Sequence, residues 1–496
     1  MRIYNSLTKH TEAFRPIDDR KVIMYVCGIT PYDQAHIGHA RTYVFFDVLK
    51  RFLVKRDYHV YHIQNITDVD DKIIKRCKES GADPMALTTR NHDEALELLS
   101  KLHVLKADAY PKVTENIPQI ISLIQTLVQR GKAYETKTGV YFDISSFPSY
   151  GALSHQDLEA IKAGSRFEVD ESKDDAADFA LWKKTQGEIL EFDSPFGRGR
   201  PGWHIECSAM AGRYAGRTLD LHGAGRDLIF PHHENEIAQS EAATGEKFCN
   251  CWVHTGFLTV EGEKMSKSLG NFITLADALG RHRPNSIRFF FLQTHYRSPL
   301  DYSEDGIDSS DEGVERIFNS LGLIRESLAA KEGQHARHTA TGHRDPEFRK
   351  ESDQLIAAFY THMDEDLNTP EAIASLFQLL RLTNAHLGLD KMDREQLEKI
   401  QIAIEEMLWI IGLQEERPAL EGKLEALKTL LDELGVPGAS ASDNAEKAIE
   451  LIISLREDAR KKKDYARSDM IRARLKELGV VLEDKAGVSG QRWKII

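Results

Sequence analysis

Apolar residues run unbroken from Val22 to Val26 and stop at Cys27-Gly28, as a strand buried on both faces of a parallel sheet does. Val44, Phe45, Val48, Leu49 and Phe52 then recur at helical spacing, and Tyr58 to Ile66 reads as a second strand. Strand, loop, helix and strand in that order form a βαβ unit, whose ligands gather beyond the carboxyl ends of the strands. The loop from Gly28 to His39 occupies that edge. From about Tyr110 to Arg200 the pattern reads as an insertion, with an amphipathic helix near Ile117–Gln129 and a short strand near Gly139–Asp143. Leu219-Asp220-Leu221-His222 resumes the sheet, and a helix from about His233 to Thr244 stops before Gly245.

Beyond about Asp311 the chain turns helical and poor in glycine, and Asn368-Thr369-Pro370-Glu371 is a helix start, capping side chains followed by proline. A stretch bearing Pro, Gly and Ser, Gly435 to Ser442, reads as a hinge. After it comes a basic helix from Arg456 to Leu478, with Ile471, Leu475 and Leu478 facing inward, then the short apolar strand Val480-Val481-Leu482. The predicted fold class is α/β. A doubly wound parallel-sheet (Rossmann-like) catalytic domain spans 1–110 and 200–250, interrupted by a connective insertion at 111–199. A linking region at 251–310, an α-helical bundle at 311–434 and a small C-terminal α/β domain at 443–496 follow.

Composition narrows the function classes. A chain of 496 residues with 41% hydrophobic and 29% charged residues is an ordinary multidomain globular protein. A net charge of −13 argues against a protein that simply coats nucleic acid, yet the stretch from Arg456 to the end holds 12 Lys/Arg against 7 Asp/Glu, a local basic surface. The five cysteines, odd in number and scattered, with no apolar leader at the N-terminus, point to the cytoplasm. No window approaches about 20 apolar residues, so no membrane-spanning helix is expected.

Three constellations carry chemistry. His36-Ile37-Gly38-His39 lies between the first strand and the first helix, where phosphates meet backbone N–H groups and the positive helix end, and two imidazoles there can stabilise charge developing on an attacked α-phosphate. Lys264-Met265-Ser266-Lys267-Ser268, closed by Gly270, brings two lysines and two hydroxyls suited to a departing pyrophosphate. Cys27, Cys207, His232 and Glu236 offer two thiolates, an imidazole and a carboxylate, with His232 and Glu236 four apart on one helical face: a zinc shell. Taken singly, each of the four reads as readily as a core or surface residue. Four ligands fill a tetrahedron, whereas a substrate-binding zinc keeps a position open; either the site expands to five or one ligand, Glu236 foremost, binds weakly. Cys249-Asn250-Cys251 lacks the spacing of a chelating pair and reads as packing.

The histidine and lysine motifs together resemble those of class I aminoacyl-tRNA synthetases, and along nearly the whole chain the sequence resembles the cysteinyl-tRNA synthetases. The resemblance takes in Asn65 to Lys72, Asp178 to Lys183, Gly199 to Met210, Phe230 to Glu236, His295 to Ser303 and Asp366 to Pro370. It implies that Cys27, Cys207, His232 and Glu236 hold one Zn2+, and that Thr30, Thr67, Trp203, His222 and Asp227 line the L-cysteine or adenylate pocket. It further implies that His36 and His39 contact ATP with its Mg2+, and that Lys264 and Lys267, the latter foremost, stabilise the pyrophosphate. The bundle and the C-terminal domain would bind tRNA(Cys), with Arg460, Tyr465, Asp469 and Asp484 at the anticodon and Tyr465 stacking where the family often has Trp. A monomer is expected. Phe196, Ala224 and Gln491-Arg492-Trp493 depart from the family pattern, none of them within the proposed zinc shell.

Three rivals are set aside by particular residues. A ligase joining cysteine to an aminosugar has no need of a helical bundle and a basic terminal domain. A zinc peptidase would need a histidine at position 237, where the chain has Ile237. A tRNA-binding protein without catalysis would not need both phosphate motifs.

Overall fold

The apolar run from Val22 builds the strand Lys21–Val26, in which Val22 to Val26 are all buried. It pairs in parallel with His59–Gln64 on one side and Leu219–Gly225 on the other, and Cys249–Thr255 extends the sheet beyond Leu219–Gly225, again in parallel. The register sets Tyr25 opposite His222 and His222 opposite Trp252, so three aromatic or imidazole side chains fall in one row across the sheet. Helix Ile37–Lys55 makes the crossover and buries Val44, Phe45, Val48, Leu49 and Phe52. In this computed structural model the described residues are 1–496 except 157–171, 217, 266–269, 333–344, 388–393, 416–422, 437–443, 484–491 and 496.

Between His59–Gln64 and Leu219–Gly225 the chain builds a second, antiparallel sheet whose strands run in the order Ala133–Glu135, Gly139–Phe142, Phe179–Lys184, Gly199–Pro201. The helix Ile117–Gln129 lies where the 3.6-residue spacing predicts it, with Ile120, Ile124 and Leu127 buried. A buried carboxylate ties this insertion to the first sheet: Glu234 accepts N–H groups from Gly151 at 2.9 Å and Ser154 at 2.7 Å. After the last sheet strand, Leu258–Val260 pairs with Glu263–Lys264 and with Leu300–Tyr302.

Helices Glu304–Glu332, Pro346–Asp364, Thr369–Leu387 and Arg394–Ile411 form the bundle. Their apolar faces share one continuous core with the crossover helix: Val44 and Phe52 belong to the same packed cluster as Phe289, Leu376 and Met407. The seam also carries buried charge. Asp47, on the crossover helix, pairs with Arg51 at 2.8 Å and with the fully buried Arg288, while Arg288 donates to the carbonyl oxygens of Ile411 (2.6 Å) and Leu102 (2.9 Å).

The chain falls into two compact units, Met1–Gln414 and Glu415–Ile496. Two expectations are corrected in the second. Helix Leu424–Glu433, assigned by its sequence to the end of the bundle at 434, packs Leu427, Leu430 and Leu431 against Ile449, Ile452 and Ile471 of the C-terminal unit, because its apolar stripe matches theirs. The single basic helix from Arg456 to Leu478 is two helices, Ala445–Lys461 and Tyr465–Glu477. Lys463 adopts a left-handed φ of 62°, and Asp464 caps the second helix by accepting the Arg467 N–H at 3.1 Å. Of the hinge at Gly435 to Ser442, 437–442 lies outside the described residues. No helix among the described residues is long and apolar enough to cross a membrane.

Candidate active site

The strand Lys21–Val26 ends by delivering Cys27 and Gly28 to the carboxyl edge of the sheet. Gly28 is required there: a Cβ on it would fall 1.6 Å from the Asn65 carbonyl oxygen, and its N–H donates to Asn65 Oδ1 at 2.9 Å. Beyond lies a cavity of about 340 Å³ whose walls include Cys27, Thr30, His36, His39, Thr67, Trp203, Cys207, Asp227, His232 and Met265. Of the five residues expected to line the amino-acid pocket, Thr30, Thr67, Trp203 and Asp227 are wall residues. His222 stands behind the wall, fully buried, with Nε2 2.8 Å from Glu236 Oε2.

His36 and His39 form the start of the crossover helix. His36 caps it, its Nδ1 accepting the His39 N–H at 3.3 Å, while the His36 N–H reaches His39 Nδ1 at the same distance and the two rings stack at 3.5 Å. Burial, with His36 and Lys72 close by, holds the His39 imidazole well below its usual pKa, so it is neutral. Directly after the lysine motif the chain is stitched to this helix start: Ile37 N–H donates to Ile273 O at 3.2 Å, Leu275 N–H to Ala35 O at 2.8 Å, and Met265 Sδ accepts the Ile273 N–H at 3.4 Å. Met265 of the lysine motif thus lies beside Gly38 of the histidine motif, more than two hundred residues away in sequence, and 266–269 lie outside the described residues. Lys264 ends the strand Glu263–Lys264; Lys267 lies outside the described residues.

Cys27, Cys207, His232 and Glu236, from three elements and a loop, present ligand atoms that all lie within 4.8 Å of one another, and all four are buried. Cys207 sits in helix Ile205–Ala215, Glu236 in helix Glu234–Thr244, and His232 in the wide turn Ile229–His233 before it, where Phe230 is extended. His232 Nε2 is 2.9 Å from Glu236 Oε1. Burial alone would raise Glu236, but His222 and His232 draw it down to about 2. For His232, burial would lower the pKa, and Glu236 and Cys207 instead raise it to about 10. The hydrogen bond from Cys27 pulls the Cys207 thiol down to about 6, whereas burial pushes Cys27 well up. Two thiols, a carboxylate and an imidazole buried together at the cavity wall are costly unless a cation shares their charge, and this donor set suits a metal ion. A second set, Cys27, His222, His233 and Glu236, shares two members with the first.

The surrounding imidazoles escaped the sequence reading. His204 Nδ1 lies 2.9 Å from His232 Nδ1, the side of that ring turned away from Glu236. His233 and His254 continue the array at 2.8 Å. His254 shares a strand face with Trp252, two residues away and opposite His222, which is the signal that places it near the site. In the C-terminal unit Arg460, Tyr465 and Asp469 are exposed, Tyr465 and Asp469 sharing one helical face; Asp484 lies outside the described residues.

Comparison with known proteins agrees with this layout. The family described as "tRNA synthetases class I (C) catalytic domain" matches residues 13–312, a "DALR domain" matches 358–415, and a "Cysteinyl-tRNA ligase anticodon binding domain" matches 445–493. A cysteine–tRNA ligase of Pelotomaculum thermopropionicum is 45% identical over 501 residues, covering 100% of this chain and 99% of the relative. One from Thermococcus gammatolerans is 44% identical over 499 residues with the same coverage. Among solved structures, Mycobacterium tuberculosis methionyl-tRNA synthetase in complex with methionyl-adenylate shares the fold, with a TM-score of 0.58 at 17% identity over 88% of this chain and 94% of that one. With a class I catalytic domain over most of its length and full-length relatives at this identity, the chain belongs to the cysteine–tRNA ligase family.

Proposed function

We propose that this chain is a cysteine–tRNA ligase that works in two steps. The carboxylate of L-cysteine attacks the α-phosphate of ATP, giving cysteinyl-adenylate and pyrophosphate. The terminal ribose hydroxyl of tRNA(Cys) then attacks the activated carbonyl, giving cysteinyl-tRNA and AMP. The observation that carries this function is a buried set of two thiols, an imidazole and a carboxylate opening onto the same cavity as the histidine-capped helix start.

His36 and His39, at the positive end of the helix, contact the ATP phosphates, with Mg2+ accompanying the triphosphate. Lys264 and Lys267 neutralise the pyrophosphate as it leaves. Thr30, Thr67, Trp203 and Asp227 hold the amino acid or the adenylate, and His222 acts on it indirectly, through Glu236. Cys27, Cys207, His232 and Glu236 hold one Zn2+. Zinc there supplies a soft Lewis acid that prefers a sulfur of the substrate to a hydroxyl oxygen. Such a preference is needed because a pocket that relies on size separates near-isosteres by only about 10–200-fold. Arg460, Tyr465, Asp469 and Asp484 read the anticodon. Five free, buried cysteines support a cytoplasmic location.

The test is charging of purified tRNA with cysteine and with serine, before and after chelation, alongside ATP–pyrophosphate exchange. Cysteine charging is expected to fall sharply on metal removal. Cys207→Ser should lower kcat/KM for cysteine by about 100-fold or more, beyond the loss typical of groups that only support a ligand. Full activity after chelation, or in the variant, refutes the metal's role; no cysteine-dependent exchange at all refutes the activity.

A further inference from the structure

A chain of three hydrogen bonds leads away from the metal shell. Cys27 Sγ lies 3.2 Å from His233 Nε2, His233 Nδ1 lies 2.8 Å from His254 Nε2, and His254 Nδ1 lies 2.8 Å from Ser6 Oγ. Ser6 follows the first strand, Arg2–Asn5, and is held by its own backbone: its N–H donates to Trp252 O at 2.8 Å, and its carbonyl oxygen lies 3.0 Å from His155 Nε2.

A hydrogen bond between two imidazole nitrogens needs one N–H and one bare nitrogen, so the whole chain can point only one of two ways. Pointing inward, Ser6 donates to His254, His254 Nε2–H donates to His233 Nδ1, and His233 Nε2–H donates to the Cys27 sulfur. Pointing outward, both histidines carry the proton on Nδ1, and His233 Nε2 is bare. The direction matters because Cys27 and Glu236 belong to two donor sets, completed either by Cys207 and His232 or by His222 and His233. His233 can join the second set only with a bare Nε2. Inward direction is the one that sets an N–H, not a bare nitrogen, against the Cys27 sulfur, which as a metal ligand is a thiolate and can only accept, and it gives the Ser6 hydroxyl proton an acceptor in His254 Nδ1.

We propose that Ser6 is a positioning residue for the metal site: its hydroxyl, by donating to His254, points the chain inward, supplies the Cys27 thiolate with an N–H donor and withholds His233 from the ion. The ion is thereby confined to the set containing both thiols. The proposal rests on the metal reading of Cys27, Cys207, His232 and Glu236, and its test separates the two.

In the full-length protein, 15N-histidine NMR reports tautomers directly: His233 and His254 are both expected to be protonated on Nε2, and protonation on Nδ1 overturns the proposal without any variant. Ser6→Ala should weaken Zn2+ retention against a chelator by about tenfold, as loss of a supporting hydrogen bond to a ligand does. The Co2+-loaded Ser6→Ala protein should also lose part of its thiolate-to-cobalt charge-transfer absorption, because the second set contains one thiol rather than two. Ser6→Thr, which keeps the hydroxyl, should restore both. Unchanged Zn2+ retention and an unchanged cobalt spectrum in Ser6→Ala, with the parent protein binding metal normally, refute the role of Ser6. A parent protein that binds neither ion refutes the metal reading instead.

Discussion

Both ring nitrogens of His62 are buried on the strand His59–Gln64 with no hydrogen-bond partner among the described residues. Burial, reinforced by the Lys50 ammonium, lowers its pKa to about 3. The unfolded chain would protonate this ring near pH 6.5, so between that value and about 3 the unfolded state binds the extra proton and stability falls as pH falls. His62→Leu should therefore flatten the acid limb of a urea-unfolding series by up to about 1.4 kcal/mol per pH unit; an unchanged slope would show that the ring is hydrated in the native protein. Histidines also mark how far residue-level reading reaches. The nearness of His232 to Glu236 follows from their four-residue spacing, although His232 stands in the turn before the helix and not within it. His204 and His254 each lie three residues from a cysteine, Cys207 and Cys251, but that spacing does not tell which imidazoles reach the site: His204 arrives at the cap of the helix that carries Cys207, and His254 by strand register.

Helix ends are where neighbouring elements are joined. The C-terminal carbonyls of helix Arg394–Ile411 are met both by a local cap, in which the left-handed Gly412 and then Leu413 return their N–H groups to Trp409 O (3.1 Å) and Leu408 O (3.0 Å), and by guanidinium groups from elsewhere: Arg288 takes Ile411 O, and Arg51 takes Trp409 O at 3.1 Å, both arginines being anchored on Asp47. Arg288→Met would leave the Ile411 and Leu102 carbonyls without this donor and remove one counter-charge from Asp47, and should cost about 3 kcal/mol in denaturant unfolding; a loss below about 1 kcal/mol would mean that the arginine is replaceable by packing. The sequence marks the start of helix Thr369–Leu387 through Asn368 and Pro370, whose signals are local. It marks the break at Lys463 only through the capping residue Asp464, because a left-handed lysine leaves the polar and apolar spacing on either side almost unaltered.

Over the whole molecule, boundaries followed cores rather than composition. Helix Leu424–Glu433 has the same apolar periodicity as the bundle helices, and only packing shows that it belongs with Ile449 and Ile471. The cut at Gln414, where one compact unit ends, predicts that a fragment of residues 1–414 keeps cysteine-dependent ATP–pyrophosphate exchange while its KM for tRNA rises strongly. Loss of exchange in a folded fragment would show that Glu415–Ile496 takes part in activation. The central strands and the crossover helix were legible, since an unbroken apolar run or a 3.6-residue stripe is a property of one segment; the last sheet strand, Cys249–Thr255, was not, and the expected boundary at 250 cuts through it, while the antiparallel insertion was less legible because its short strands pair across gaps of unpatterned chain.

That insertion separates two halves of the first sheet, and it also orders events during translation. Cys27 and Glu236 stand 209 positions apart, so at ordinary elongation rates roughly ten to forty seconds pass between the emergence of the first thiol and that of the last ligand. Until Cys207 follows, late in that interval, a nascent chain offers an ion one sulfur of this set and no enclosure. Metal capture is thus deferred to a nearly finished sheet, which spares the growing polypeptide from chelating through a single exposed cysteine.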